Sequence, residues 1–99
     1  MIEIVSTREQ LERCWAIRME VFVEEQRVPV EEEVDALDTA PETIHLLASR
    51  DGRDLGTARI LPEEPGHCHI GRVAVLAAAR GLGVGRELMD AAGQVALER

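Results

Sequence analysis

The chain has 99 residues, of which 45% are apolar, and a net charge of −8; this fits one domain with a modest core and excludes a disordered chain. The acidic balance speaks against general binding to nucleic acid or to anionic membranes. No apolar run is long enough for a membrane span, the opening residues lack the apolar core of a signal peptide, and Cys14 and Cys68 match no metal or redox spacing, so a cytoplasmic protein with two reduced thiols is expected.

Residues 1–5 alternate weakly, with Ile2 and Ile4 on one side, as in a short edge strand. Ser6-Thr7-Arg8-Glu9 reads as a capping box, with Ser6 as the N-cap and Glu9 at the third helical position. A helix is predicted over residues 7–23. Leu11, Trp15, Met19 and Phe22 form its apolar stripe, and Cys14, Ile17 and Val21 widen it. Pro29 breaks the chain and pushes Val28 to extended geometry. Residues 24–42 hold eight acids against one arginine. Such a run is either a solvated loop with a short helix or an acidic wall that attracts a cationic amine.

Three strands should follow. Ile44-His45-Leu46-Leu47-Ala48 is a buried strand over residues 43–49. Asp51-Gly52 signals a hairpin. The chain returns over residues 55–61, where Gly56 marks a bulge or a close approach. A second turn at residues 62–66 leads into a third strand over 67–75. The expected product is an antiparallel sheet, with the first helix on one face and a C-terminal helix on the other. His67 and His69 flank Cys68, but two histidines at i and i+2 without a third ligand do not make a metal site. No metal is expected.

Residues 70–97 read as strand, glycine-rich turn, then helix. Ile70, Val73 and Val75 are β-formers. After a short connection at residues 76–79 and the glycines, Leu88, Met89, Ala92, Val95 and Ala96 form one helical stripe. A helix start leaves its first N–H groups without partners and carries partial positive charge, so it binds anions and phosphates in particular. Gly81, Gly83 and Gly85 let a phosphate approach the backbone and allow positive φ. Arg80 and Arg86 bracket the loop. Three loop types compete. The P-loop needs a lysine, and this chain has none. The dinucleotide fingerprint needs G-x-G-x-x-G, whereas the spacing here is G-x-G-x-G. The acetyl-CoA loop, R/Q-x-x-G-x-G/A, is matched at every fixed position by Arg80-Gly81-Leu82-Gly83-Val84-Gly85.

On these residues the chain resembles the GNAT superfamily of N-acetyltransferases. Arg18-Met19-Glu20-Val21-Phe22-Val23-Glu24-Glu25-Gln26-Arg27-Val28-Pro29, then Glu33-Val34-Asp35 and Leu37-Asp38, is similar to the N-terminal signature of its ElaA/YjcF-like branch. His45-Leu46-Leu47, Gly56-Thr57-Ala58-Arg59 and Ile70-Gly71-Arg72-Val73 extend the likeness over nearly the whole chain. The resemblance implies an α+β domain whose mixed, mainly antiparallel sheet is flanked by helices. It implies acetyl-CoA as acyl donor and an amine of a small molecule or peptide as acceptor. The pyrophosphate would lie on the N–H groups of about Leu82, Gly83, Val84, Gly85 and Arg86, with Gly81 also among the cofactor-binding residues. The pantetheine arm would run along Val73, Ala74 and Val75 like an added strand. Arg80 or Arg86 would contact phosphate or simply be solvated.

The implied chemistry is direct attack of a neutral amine on the thioester, which needs a base and a hydrogen-bond donor for the carbonyl. Strand N–H groups near Val75 could be that donor. His45, Glu24, Glu25 and Asp35 are candidate bases, though a histidine inside an apolar strand reads rather as a core residue. A complete domain of this family adds a strand, a helix and a final strand pair, and often a tyrosine that protonates the leaving thiolate. The 99 residues hold none of these, so the resemblance implies a C-terminally incomplete domain. The alternative to an enzyme is an inactive acyl-CoA-binding module or a fragment completed by a partner chain. An uncovered sheet edge would favour association as a homodimer.

Overall fold

The structure, a computed structural model, describes residues 1–29, 35–62 and 68–98. Four strands form one antiparallel sheet in the order β1 (Ile2–Ile4), β2 (Ile44–Arg50), β3 (Arg53–Pro62) and β4 (Cys68–Val75). The β2–β3 turn is the expected hairpin: Asp51 and Gly52 both take positive φ, at 53° and 77°. A two-residue turn of this hand matches the twist of the paired strands, and Asp-Gly is among the pairs that adopt it with little strain. The expected turn at residues 62–66 and His67 lie almost wholly outside the described residues, as do Glu33 and Val34.

Helix α1 (Arg8–Arg18) covers one face of the sheet and α2 (Val84–Leu97) covers the other. Side-chain alternation divides the strands between them. Ile44, Leu46 and Ala48 of β2, with Ala58 and Ile60 of β3, pack on Val84, Leu88 and Ala92 of α2. Leu47 of β2 and Ala74 of β4 pack on Cys14 and Ile17 of α1 and on Val21 beyond it. Arg13 of α1 is tied to Asp54 of β3 by three side-chain hydrogen bonds of 2.6–3.2 Å.

The structure departs from the sequence expectations in three places. The N-cap of α1 is Thr7, not Ser6, and Gln10 replaces Glu9 in the capping box. The Thr7 hydroxyl accepts from the Gln10 N–H at 3.1 Å, while the Gln10 carbonyl oxygen accepts from the N–H groups of both Thr7 and Ser6. One amide thus satisfies two donors. The helix then widens at Arg18 into a π-helical segment, Met19–Glu25, in which the Gln26 N–H reaches back to Val21 O. The buried line along α1 runs through Leu11, Cys14 and Ile17 to Val21, and includes Arg18. Trp15 is only half-buried, with the Arg8 guanidinium 4.7 Å from its ring centre. Met89 of α2 points outward, and the packed stripe is Val84, Leu88, Ala92 and Val95.

Gly56 is the close approach its type implied. A Cβ there would lie 2.8 Å from Ala74 O, 3.0 Å from Leu88 Cδ1 and 3.3 Å from Val84 Cγ1. A bulge adjoins it, because Ala48 pairs with Gly56 while Ser49 pairs with Asp54. A second bulge lies in β4. Thr57 pairs with Ala74 and Arg59 with Gly71, and Arg72 between them sits at φ 50°.

Gly56→Ala should therefore overpack the junction of β3, β4 and α2 and cost about 1–3 kcal/mol, read as a lower urea midpoint. Gly93→Ala, on α2 with nothing within 4 Å of the new methyl, is the control and should be neutral or slightly stabilising.

Candidate functional site

The glycine turn joins the end of β4 to the start of α2. It opens with a single 3₁₀ turn, Ala77–Ala79, whose last alanine is buried. Gly81 and Gly83 then take φ of 86° and 82°, values that other residues adopt only with strain. Gly83 is the N-cap of α2 and supplies no side-chain cap. The first helical hydrogen bond runs from the Glu87 N–H to Gly83 O at 3.0 Å. The N–H groups of Val84, Gly85 and Arg86 precede it and have no intrahelical acceptor. The Leu82 N–H is bonded to Ala79 O at 3.4 Å, so of the expected anion donors Leu82 is already engaged, while those of the first helical turn keep no intrahelical acceptor. Gly85 plays a different part from the other two glycines. Its φ is ordinary, and a Cβ there would meet only Val75 Cγ2 at 3.7 Å.

Strand β4 lies at the edge of the sheet among the described residues. Ala74 O is turned toward β3, as its approach to Gly56 shows, and the Leu76 N–H bonds Leu55 O at 2.9 Å. By alternation the main chain of Val75 faces the open edge, while that of Ala74 faces β3. Val73 and Val75 place their side chains toward α2. The outward carbonyl of Val75 accepts from Arg80 Nε at 3.1 Å. Arg80 also pairs with Glu25 at 2.6 Å. Arg86 is 88% exposed, with Asp90 4.0 Å away.

The candidate bases separate clearly. His45 is buried on β2, and its Nε2–H donates to Asp38 O at 2.9 Å, since a carbonyl can only accept. Burial pushes its pKa below the ordinary value. The Asp38 carbonyl and carboxylate pull the other way without cancelling that effect. Asp35 caps the short 3₁₀ turn Ala36–Thr39 and accepts from the Leu37 N–H, from Arg59 at 2.9 Å and from Arg72 at 3.5 Å. Glu24 and Glu25 are exposed on the π segment, Glu25 in its pair with Arg80.

Sequence reading missed a buried ion cluster on the α1 face. Arg18 is 1% exposed and bonds both carboxylate oxygens of Asp38, at 2.7 and 3.0 Å; Asp38 is 2% exposed. Arg59 reaches the same carboxylate at 3.1 Å. Burial pushes the Asp38 pKa up, but the Arg18 hydrogen bond and charge, the Asp35 N–H and Arg59 pull it below the ordinary range. One signal was available: Arg18 lies four residues after Cys14 and three before Val21, inside the apolar stripe. Among the described residues no cluster of histidine, cysteine and acids could hold a metal, and no helix is long and apolar enough to cross a membrane.

A profile of the acetyltransferase (GNAT) family matches residues 7–99. The chain belongs to the GNAT family. It is 36% identical over 88 residues to YjcF of Bacillus subtilis, described as an uncharacterized N-acetyltransferase, a match covering 89% of this chain and 61% of that protein. The chain thus spans about three-fifths of that relative. Among solved structures it is similar to an acyl-CoA N-acyltransferase from Pseudomonas aeruginosa, at 40% identity and a TM-score of 0.86, over 97% of this chain and 68% of the other. ElaA of Escherichia coli matches all of this chain and 72% of its own at 30% identity, also with a TM-score of 0.86. These relatives support the ElaA/YjcF-like branch, and the antiparallel sheet between helices is the GNAT architecture.

The two depressed pKa values make stability fall with acid in two steps. A neutral buried His45 contributes fully above its ordinary 6.5. That contribution is lost as pH falls through 6.5 toward the folded value. The ionised Asp38 contributes fully above its ordinary 3.8 and loses its contribution below that. Urea midpoints measured from pH 8 to 3 should be flat above about 6.5. They should then decline by up to about 1.4 kcal/mol per pH unit for one proton. His45→Gln, which keeps a donor for Asp38 O, should remove the first step and leave the second; a first step that survives this change would contradict the assignment.

Proposed function

We propose that the chain binds acetyl-CoA at the glycine turn and serves an N-acetyltransferase reaction on an amine of a small molecule or peptide. The observation that carries this reading is the pairing of Gly81 and Gly83, both left-handed, with a helix start whose N-cap has no side chain. This arrangement leaves three N–H groups and the helix dipole aimed at one place, and that is a phosphate site. The residues fit the donor further along. Val75 turns its main chain to an edge that no described strand covers, where the amides of a pantetheine arm could pair.

Bound acetyl-CoA would supply the activated acyl group. The residues of this chain then have three tasks. Val84, Gly85 and Arg86 neutralise the pyrophosphate. The Val75 N–H holds the donor in register with the strand and can stabilise negative charge developing on the thioester oxygen. A base must take a proton from the amine, because an ammonium cannot attack. His45 is enclosed and resists protonation, and Asp35 is bound by two arginines, so both are ill-suited. Glu25 is likewise engaged, by Arg80 at 2.6 Å, and Glu24, exposed on the π segment, is the candidate that faces solvent.

The test is calorimetric titration of the full chain with acetyl-CoA, expected to give one-to-one binding. Gly85→Asp puts a carboxylate on the second helical position without clash or strain. It should weaken acetyl-CoA by at least about tenfold, or roughly 1.4 kcal/mol. The melting temperature should hold or rise, since an acid in the first turn suits the helix dipole and replaces a helical glycine. Undiminished affinity in that variant would place the site elsewhere. Release of free CoA with a panel of amines separates an enzyme from a silent acyl-CoA-binding module, which would bind without turnover.

A further inference from the structure

We infer that Arg80 and Glu25 form a strap that positions the glycine turn against the π-helical end of α1. On this account Arg80 affects acyl-donor binding through the turn and does not itself touch phosphate. The inference rests on the acetyl-CoA reading given above. Three observations carry it. Arg80 stands between the buried 3₁₀ turn and Gly81, at the first point where the chain turns toward α2. Its guanidinium has two anchors, the Val75 carbonyl at 3.1 Å through Nε and Glu25 at 2.6 Å through Nη2. Glu25 closes the π segment, and the chain just beyond it is pinned by Gln26 N–H to Val21 O and Val28 N–H to Phe22 O. One side chain thus joins the end of β4, the glycine turn and the end of the first helix, across 55 residues of sequence.

The chemistry favours positioning over anion contact. The charge of Arg80 is already matched by Glu25, while Arg86 holds its guanidinium in solvent beside the helix start. A turn built on left-handed glycines has many alternatives open to it. A side chain fixed at two points removes some of them before the ligand arrives, and this kind of preorganisation appears as affinity. The pair is about half-exposed, and such pairs add little to global stability. The strap should therefore show in binding and in local motion more than in the melting temperature.

The test compares the full chain with Arg80→Gln, Glu25→Gln and the double variant, using acetyl-CoA titration and, without ligand, amide hydrogen exchange. Each single variant is expected to weaken acetyl-CoA by a similar factor, about twofold to tenfold. The double variant should be no worse than either, as for two residues acting as one contact. Without ligand, each single variant should speed exchange at both ends of the strap, at Leu82 and Glu87 and also at Gln26 and Val28. Weaker binding from Arg80→Gln alone, with Glu25→Gln neutral or tighter, would mean direct contact with the anion and overturn the strap. Exchange changes confined to the substituted side would overturn it too. Should acetyl-CoA fail to bind the unaltered chain, the donor reading falls, and the exchange pattern still decides the strap.

Discussion

The start of α2 is seated in the space left by the missing side chain of Gly56. Val84 and Leu88, one turn apart on α2, are 2% and 0% exposed and pack into this spot on β3. Fixing two residues on one face at the beginning of a helix fixes its direction, so the unpaired N–H groups just ahead of them are aimed as well. Ala79 is buried against the same cluster and pins the entry to the turn. Between Ala79 and Val84 the backbone must reverse in four residues, and Gly81 and Gly83 supply the positive φ that makes this possible. The candidate site is thus a consequence of core packing: β3 yields volume at residue 56, α2 fills it, and the glycine turn closes the gap.

The other face of the sheet is organised by charge. Arg18, Asp38 and Arg59 are all nearly fully buried, and a buried carboxylate of this kind is tolerable only because two guanidiniums satisfy it. Through Asp35 the cluster reaches Arg72 in the β4 bulge, so α1, the short 3₁₀ turn and the last two strands share one set of ion pairs. This changes the meaning of the acidic run after α1. Asp35 and Asp38 face arginines of the chain's own core, and Glu25 faces Arg80. The described acids of that run act largely within the protein, and an amine acceptor would meet less of their field than the bare charge count suggests.

The elements legible in the sequence were those whose cause is local. Asp51-Gly52 needs only its own backbone preferences to make a hairpin. The strands from Ile44 to Val75 show their apolar faces directly, and Arg80 to Gly85 shows its spacing directly. What was not legible depends on partners far away in the chain. Arg18 lies within the apolar stripe of α1, but its partner Asp38 is twenty positions on. The π segment after Arg18 has no periodicity of its own that distinguishes it from a longer α-helix. The cap moved from Ser6 to Thr7 because Gln10 can serve two N–H groups, a geometric advantage that the S-x-x-E pattern does not express. For the site, the glycine spacing revealed the turn, but not that Leu82 has already given its N–H to Ala79, nor that Ala74 turns its carbonyl into the sheet.

The central claim is that an acyl-CoA pyrophosphate sits on the N–H groups at the start of α2. The most direct measurement is an amide-resolved NMR titration of the full chain with CoA, with inorganic pyrophosphate in parallel. The account predicts that the largest shifts with both ligands fall on Val84, Gly85 and Arg86, and that CoA alone adds a shift at Val75, where the pantetheine arm would lie. Shifts centred elsewhere, for example on the Arg50–Arg53 side of the hairpin, with the α2 amides unmoved, would contradict it.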